Sequence, residues 1–469
     1  MAKITIIGAG GYVFPLRLVG DILSFPELRG STIALMDIDA DRLESTTAAA
    51  RDLVAHHGLP ATVESTTDQR EALTGADYVI LTFLVGGVEP YDLELTIART
   101  YGIDEAVGDT LGPTGVFRFL RTAPVLASIA GDMSEVCPGA RLLNYVNPMA
   151  MNCWYLSSLG VRVVGLCHSV QGTSQMLARQ LDVPYGEVAY RVAGINHQAW
   201  FTEFRHGDED LLPKMREVMT WRFGADATRR SASDDSRPHG EPRNNGHYEG
   251  IEERVRTEIM QAFGYFHTES SHHASEYLPY FRKDEARSRE FTPHRVNWTP
   301  NANRSASDRN ERLLADLKAE LKPSVEYGAV IINAMETGTP AVIYGNVPND
   351  GLITNLPDGC CVEVACLVDR NGVQPIAYGA LPPQLAAVNR TNVNVQELAV
   401  LAAQTADREH AYHAVMLDPL TGAVLTLGQI REMVDELFAA EAQWLPQFAD
   451  GTEPATRTAD VLHELVSAD

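Results

Sequence analysis

The chain has no long apolar run: nowhere do its 469 residues approach the roughly 18 consecutive apolar positions that read as a bilayer-spanning helix. Basic charge is also scarce, with 38 Lys and Arg against 62 Asp and Glu, a formal net charge of −24. That sign excludes the electrostatic footprint of a nucleic-acid binder and argues against an anionic membrane surface as partner. Cysteine is sparse: Cys137, Cys153, Cys167, Cys360, Cys361 and Cys366 show no disulfide or zinc-ribbon spacing, and the adjacent Cys360–Cys361 pair is poorly suited to a bridge. The opening MAKITIIGAGG carries too short an apolar run for a secretory leader and no cleavage region. A cytoplasmic protein with reduced thiols is therefore expected. What is present is ordinary for a globular chain, 45% hydrophobic and 21% charged. The length exceeds the usual ceiling for one hydrophobic core, so two domains are expected.

The first half alternates strand and helix patterns. Lys3–Ile7, Thr32–Asp37, Tyr78–Phe83, Arg141–Val146 and Arg162–Leu166 read as buried strands, with helices near 40–57, 90–101, 116–135 and 172–182. Repeated strand-then-helix units specify a parallel sheet covered on both faces. The pattern changes after about Gly194. Residues 225–245 are polar and rich in Ser, Arg, Asn and Pro, which predicts a long surface loop. Helices are expected near 250–263 and 306–320, β-rich runs from about 329, and helices again near 393–416 and 427–447. The predicted class is α/β: a Rossmann-type domain over 1–194 and an α+β domain over 195–469, in the layout of lactate and malate dehydrogenases.

Gly8-Ala9-Gly10-Gly11 directly follows the first strand. Glycine there lets the backbone turn sharply and approach a pyrophosphate held at a helix N-terminus. The third fingerprint glycine is replaced by Val13, so the glycines alone would suit any tight turn. Asp37, ending the second strand, adds a carboxylate placed to accept from both ribose hydroxyls and to repel a 2′-phosphate. Gly8, Gly10, Gly11 and Asp37 therefore predict an NAD site. Asn147-Pro148 and Cys167-His168 follow strands at the same edge of the sheet, where ligands collect in open α/β folds. Cys167 with His197, in Gly194-Ile195-Asn196-His197, offers a thiolate and an imidazole to a divalent metal, although buried Cys and His are common without one.

Taken together, IALMDID (33–39), GDTLGPTG (108–115), LNYVNPMAMN (143–152), GLCHSVQGT (165–173), AGINHQAW (193–200), GYFHTESSHHASEYLPY (264–280) and DPLTGAVLTL (418–427) resemble glycoside hydrolase family 4, the NAD- and manganese-dependent glycosidases. The resemblance runs over nearly the whole chain, and CHSV is similar to the α-galactosidase branch. It implies cleavage without the usual carboxylate pair: transient oxidation at C3 acidifies the C2 proton, a base removes it, the aglycone leaves C1, water adds, and C3 is reduced again. By the same resemblance Cys167 and His197 hold the metal, Asn147 contacts substrate, and Tyr277 takes the C2 proton. A tyrosine with its ordinary pKa near 10 would need a cation beside it for that role. His168 stands where the phospho-α-glucosidase branch has Asp and is one candidate proton donor; Asp109 is the other. Gly11 replaces a frequent Ser, and Thr114 a frequent Gly.

The expected substrate is an unphosphorylated α-galactoside, because Glu89 and Asp92 in the segment 88–92 would repel a 6-phosphate. An α-galacturonide or α-glucoside is the alternative within the family, the former suggested by Arg229, Arg230, Arg237 and Arg243. Outside it, a 2-hydroxy-acid dehydrogenase shares the Rossmann layout but requires an arginine clamp with a His–Asp pair, which has no evident place in this chain. A non-catalytic NAD-binding protein would give no reason for Cys167, His197 and Tyr277 to occur together. A homo-oligomer, dimer or tetramer, is expected.

Overall fold

The apolar runs of the first half become parallel strands: β1 (Lys3–Ile7), β2 (Thr32–Met36), β3 (Thr62–Thr66), β4 (Tyr78–Leu81), β5 (Arg141–Asn144) and β6 (Val163–Gly165), in the order β3-β2-β1-β4-β5-β6. Every residue of β4, and every residue of β1 after Lys3, is buried, as expected for strands covered on both faces. The computed structural model describes residues 1–225, 253–292 and 306–449. The later strands are β7 (Val188–Ile195), β8 (Gln198–His206), β9 (Glu209–Asp210), β10 (Phe266–His267), β11 (Ala341–Pro348), β12 (Cys361–Asp369) and β13 (Gly372–Pro375). They extend the same sheet with antiparallel pairing, β6-β11-β12-β7-β8-β10, so one 13-stranded sheet runs through both halves.

The chain winds outward in both directions from β1 and β4, which makes the carboxyl edge between those two strands the topological switch point. The helix Gly112–Val136 covers one face, and the C-terminal helix Pro383–Thr405 packs on it. Phe117, Phe119 and Leu120 from the first join Val395 and Ala399 from the second in one cluster, all without exposed surface. Each large side chain so buried contributes roughly 2 kcal/mol. That packing fixes C-terminal residues against the Rossmann half.

Several elements differ from expectation. β3 escapes a search for apolar runs because Thr62–Thr66 (TVEST) is a polar edge strand with no buried residue. The segment expected to begin β structure at 329 is the helix Tyr327–Thr337, ended by Gly338 at φ 79°. Its apolar residues Ala329, Ile332 and Met335 repeat every three positions, which a short apolar run hides. The helix expected over 393–416 is two, Pro383–Thr405 and Arg408–Leu417, parted at Ala406, whose φ is 55°. The loop expected over 225–245, with its four arginines, lies outside the described residues except for Ala225. No helix among the described residues is long and apolar enough to cross a membrane.

Candidate active site

At the switch point Gly8 adopts φ 90° and donates its N–H to Met36 O at 2.9 Å. A Cβ there would stand 2.6 Å from Phe83 N, so the turn after β1 and the turn after β4 touch through a glycine. Gly10 donates to Asp37 Oδ2 at 2.7 Å, and Asp39 N–H to Asp37 Oδ1 at 3.0 Å. Each Asp37 oxygen keeps acceptor capacity for a ribose hydroxyl. Gly10 also leaves no room for a Cβ, which would lie 2.8 Å from Asp37 Oδ2. Gly11 is different: a Cβ would meet nothing nearer than Pro15 at 3.6 Å, so a side chain fits there. Gly8, Gly10 and Asp37 thus fit a dinucleotide's backbone-hugging half, and Gly11 is not required by the geometry.

A second cluster gathers farther along the carboxyl edge. Cys167 follows β6, His197 lies in the two-residue turn between β7 and β8, and Glu269 follows β10. One ligand atom from each falls within 4.8 Å of the others, and all three are buried. His197 Nε2 is 3.5 Å from Glu269 Oε2. His197 holds φ 62°, a left-handed conformation that costs a non-glycine residue about 1 kcal/mol or more and is tolerated where the surroundings impose it. The helix Pro383–Thr405 holds Gln198, the residue that follows His197. Asn389 donates to Gln198 O at 2.6 Å, and Asn392 donates to Gln198 Oε1 at 2.9 Å and to Tyr277 O at 3.3 Å.

His197 Nδ1 faces the other way, 3.0 Å from the Tyr277 hydroxyl and 3.1 Å from Thr110 Oγ1. Thr110 donates to Asp109 Oδ1 at 2.7 Å, and Asn147 donates to Asp109 Oδ2 at 3.0 Å. The Tyr277 hydroxyl is also 2.8 Å from His273 Nδ1. Glu276, the residue before Tyr277, accepts the N–H groups of Ala106, Val107 and Gly108 at 2.7, 2.9 and 3.2 Å. Asp109, His197 and His273 form a second group compact enough to hold a cation. The structure therefore brings together Asp109, Asn147, Cys167, His197 and Tyr277. His168 follows Cys167 and is exposed, with Nδ1 3.6 Å from Glu326 Oε1, and it is near enough to act electrostatically on His197 and Glu269.

Electrostatics sort these groups. Burial pulls the His197 imidazole down to about 4, against the pull of Glu269, so it is neutral at pH 7 and could serve as a ligand. Burial opposes ionisation of Glu269, but His197 and His273 outweigh it and hold the carboxyl at about 2. Burial, then Glu269 and Glu363, pushes the Cys167 thiol well above its usual range. A thiolate there therefore requires a cation, which a bound metal ion supplies. The donor set, thiolate, imidazole and carboxylate, fits a divalent transition metal. Burial raises the Tyr277 hydroxyl well above 10, with Glu276 and Asp109 adding to it. His273 works in the opposite sense: burial lowers it, but Asp109 and Glu276 push it up to about 9, leaving an imidazolium that donates to the Tyr277 oxygen. Burial likewise opposes the charge on Asp109, yet His273 and Arg118 hold it well below the carboxylate range, which makes it an acceptor and weighs against it as proton donor.

Sequence reasoning missed Glu269, His273, Glu276 and Thr110. A signal for His273 existed: it stands four residues before Tyr277 at the end of the helix Ser271–Glu276, a spacing that stacks both rings on one face. Glu89 and Asp92, taken as a phosphate-repelling pair, are exposed on the helix Val88–Thr100, whereas Tyr91 between them is buried.

Comparison with known proteins matches residues 3–183 to the family model described as family 4 glycosyl hydrolase, and residues 192–421 to that of the family 4 glycosyl hydrolase C-terminal domain. The chain is 39% identical over 459 residues to an α-galactosidase of Bacillus subtilis, covering 96% of this chain and 100% of the relative. It is 36% identical to an α-galactosidase of Rhizobium meliloti, covering 97% and 91%. A crystal structure of a 6-phospho-α-glucosidase from gut microorganisms, solved with NAD and Mn²⁺, shares the fold with a TM-score of 0.75 at 20% identity, over 96% of this chain and 100% of that one.

Proposed function

Since the chain belongs to family 4 of the glycosyl hydrolases, we propose that it is an NAD- and Mn²⁺-dependent α-galactosidase acting on an unphosphorylated glycoside. The observation that carries this reading is the position of the Cys167–His197–Glu269 cluster. It lies beside Tyr277, Asp109 and Asn147 on the sheet edge that also carries Gly8 and Asp37. Near-full-length similarity to two α-galactosidases supports the sugar.

When bound, NAD⁺ supplies reversible oxidation at C3 of the sugar, and the metal ion supplies Lewis acidity at the neighbouring oxygens. Gly8, Gly10 and Asp37 would hold the first; Cys167, His197 and Glu269 would hold the second. With Nε2 turned to that cluster, His197 keeps its proton on Nδ1 and donates it toward Tyr277 or Thr110. Tyr277 takes the proton from C2 as a tyrosinate, so its hydroxyl proton must leave first. The charge of a bound metal ion, together with the His273 imidazolium, would offset the burial and carboxylates that hold that proton in place. Asp109 and Asn147 fix sugar hydroxyls. The aglycone leaves C1 with a proton from His168, the exposed candidate donor. Water then adds at C1, with no net redox change.

The reading extends to the division of the chain at 194/195, which the junction of the two family matches between 183 and 192 supports. It extends also to a cytoplasmic homo-oligomer, the compartment supported by six buried, unbridged cysteines. Assay of nitrophenyl glycosides with NAD⁺, Mn²⁺ and a thiol reductant tests the function. The α-galactoside should be cleaved fastest without NADH accumulating, and in D₂O the released galactose should carry deuterium at C2. Product that retains its C2 protium throughout would refute the elimination pathway.

A further inference from the structure

Two arginines on the helix Gly112–Val136 reach the two loops that follow β4 and β5. Arg121 Nε donates to Val85 O at 3.2 Å, and Arg118 Nε, one turn earlier, donates to Asn147 O at 3.1 Å. Beyond that they differ. Arg121 is fully buried and saturated: its Nη1 meets Glu94 and, at 3.3 Å, Glu441 Oε2, and its Nη2 donates to Glu94 Oε2 at 3.4 Å. Its place is structural.

Arg118 is half-buried and makes no other hydrogen bond among the described residues. Among the described residues both terminal amino groups of its guanidinium are unused, in a neighbourhood where Asp109 is its main electrostatic partner. A partly desolvated cation with idle donors is costly unless a ligand fills them. Asp109 and Asn147, themselves joined at 3.0 Å, complete the ring around that spot, giving a carboxylate acceptor, an amide and a guanidinium fork. A sugar hydroxyl, both donor and acceptor, is complementary to the set.

We propose that Arg118 binds substrate directly, donating to the oxygen on C4 or C6 of the glycone. The inference rests on the glycosidase reading of this site. The chemistry engages C1, C2 and C3, so O4 and O6 are the oxygens left for recognition.

The test uses the full-length enzyme and whichever nitrophenyl α-glycoside the wild type cleaves fastest, together with its 4-deoxy and 6-deoxy analogues. Arg118→Gln should lower kcat/KM by roughly 10- to 100-fold, the scale of a hydrogen bond to a charged group. Removing the contacted hydroxyl should cost the wild type a similar factor, and the two losses should not multiply. Arg118→Lys should recover part of the rate, while NAD⁺ affinity and Tm stay at wild-type values. Losses that multiply at both C4 and C6, or a parallel weakening of NAD⁺ binding, would overturn the proposal and leave Arg118 as a brace for the Asn147 loop. A glucoside cleaved faster than the galactoside would defeat the galactoside reading while leaving the Arg118 test intact.

Discussion

The edge proposed for the cofactor and the pocket proposed for the sugar are built in opposite ways on one sheet. At the β1–β4 switch point the work is done by backbone: a glycine turn, two N–H groups on Asp37, and absent side chains. In the pocket it is done by charge. Asp109, Glu269, Glu276, His197 and His273 come from three segments and are buried or half-buried against one another. A site made of backbone tolerates its neighbours. A site made of buried charges is a balance in which each group sets the state of the next. Removing a group from the pocket should therefore abolish chemistry while leaving the cofactor edge loaded.

The largest effect expected follows from His197, which faces the ligand cluster through Nε2 and the tyrosine through Nδ1. His197→Ala and Cys167→Ser should each reduce turnover by roughly 10³-fold or more, as loss of the bound Lewis acid would require. NAD⁺ affinity, measured by fluorescence, should stay within about twofold, because Gly8 and Asp37 lie strands away. Loss of NAD⁺ binding in either variant would mean that the two regions are one cooperative unit, and the contrast would fail.

Next comes the pair Tyr277 and His273. Tyr277→Phe removes the proposed base and keeps the ring, so a loss of about 10²–10⁴-fold is expected with folding preserved. His273→Gln should cost less, roughly 10- to 100-fold, and it carries a pH signature. His273 is raised to about 9 in the folded protein against an ordinary value near 6.5. Its ion pairs therefore stabilise the fold fully below about 6.5, and that contribution is lost as pH rises through about 9. Thermal melts of the wild type should decline over that window, and His273→Gln should flatten the decline. Parallel curves for the two proteins would show that His273 is not the cation of the pocket.

The same contrast explains what was legible in the sequence. Backbone-built sites leave contiguous traces: strand, G-A-G-G and an acid at the next strand end locate Gly8, Gly10 and Asp37 without a structure. Strands β1, β2 and β4–β6 read equally well because burial on both faces makes them unbroken apolar runs. The pocket leaves scattered traces. Asn147, Cys167 and His197 stand out in the sequence as strand-end or metal-ligand candidates, but their roles, and Tyr277 itself, come from the resemblance. Glu269 and His273, inside a motif already quoted, acquire roles only when folding brings them to His197. β3 and the helix Tyr327–Thr337 were lost for the converse reason, one too polar for a strand pattern and the other too short to show its helical period.

The smallest effect expected is at Glu89 and Asp92, and it decides where the sugar is chosen. If their charges exclude a 6-phosphate, neutralising them should admit phosphorylated glycosides. Yet both are exposed on the first turns of the helix Val88–Thr100, and neither joins the hydrogen-bonded ring of Asp109, Asn147, Thr110 and His197. Exposed charges are screened beyond a Debye length of about 8 Å at physiological ionic strength, and single surface charges contribute on the order of 1 kcal/mol or less. The buried groups suffer no such screening. Glu89→Gln with Asp92→Asn should thus change kcat/KM for neutral and 6-phosphorylated α-galactosides by no more than about threefold each at 0.15 M salt. Any residual effect should shrink further as salt is raised. A tenfold gain for the phosphorylated substrate that disappears in high salt would instead give the rim charges the selective role and return discrimination from the pocket to the surface.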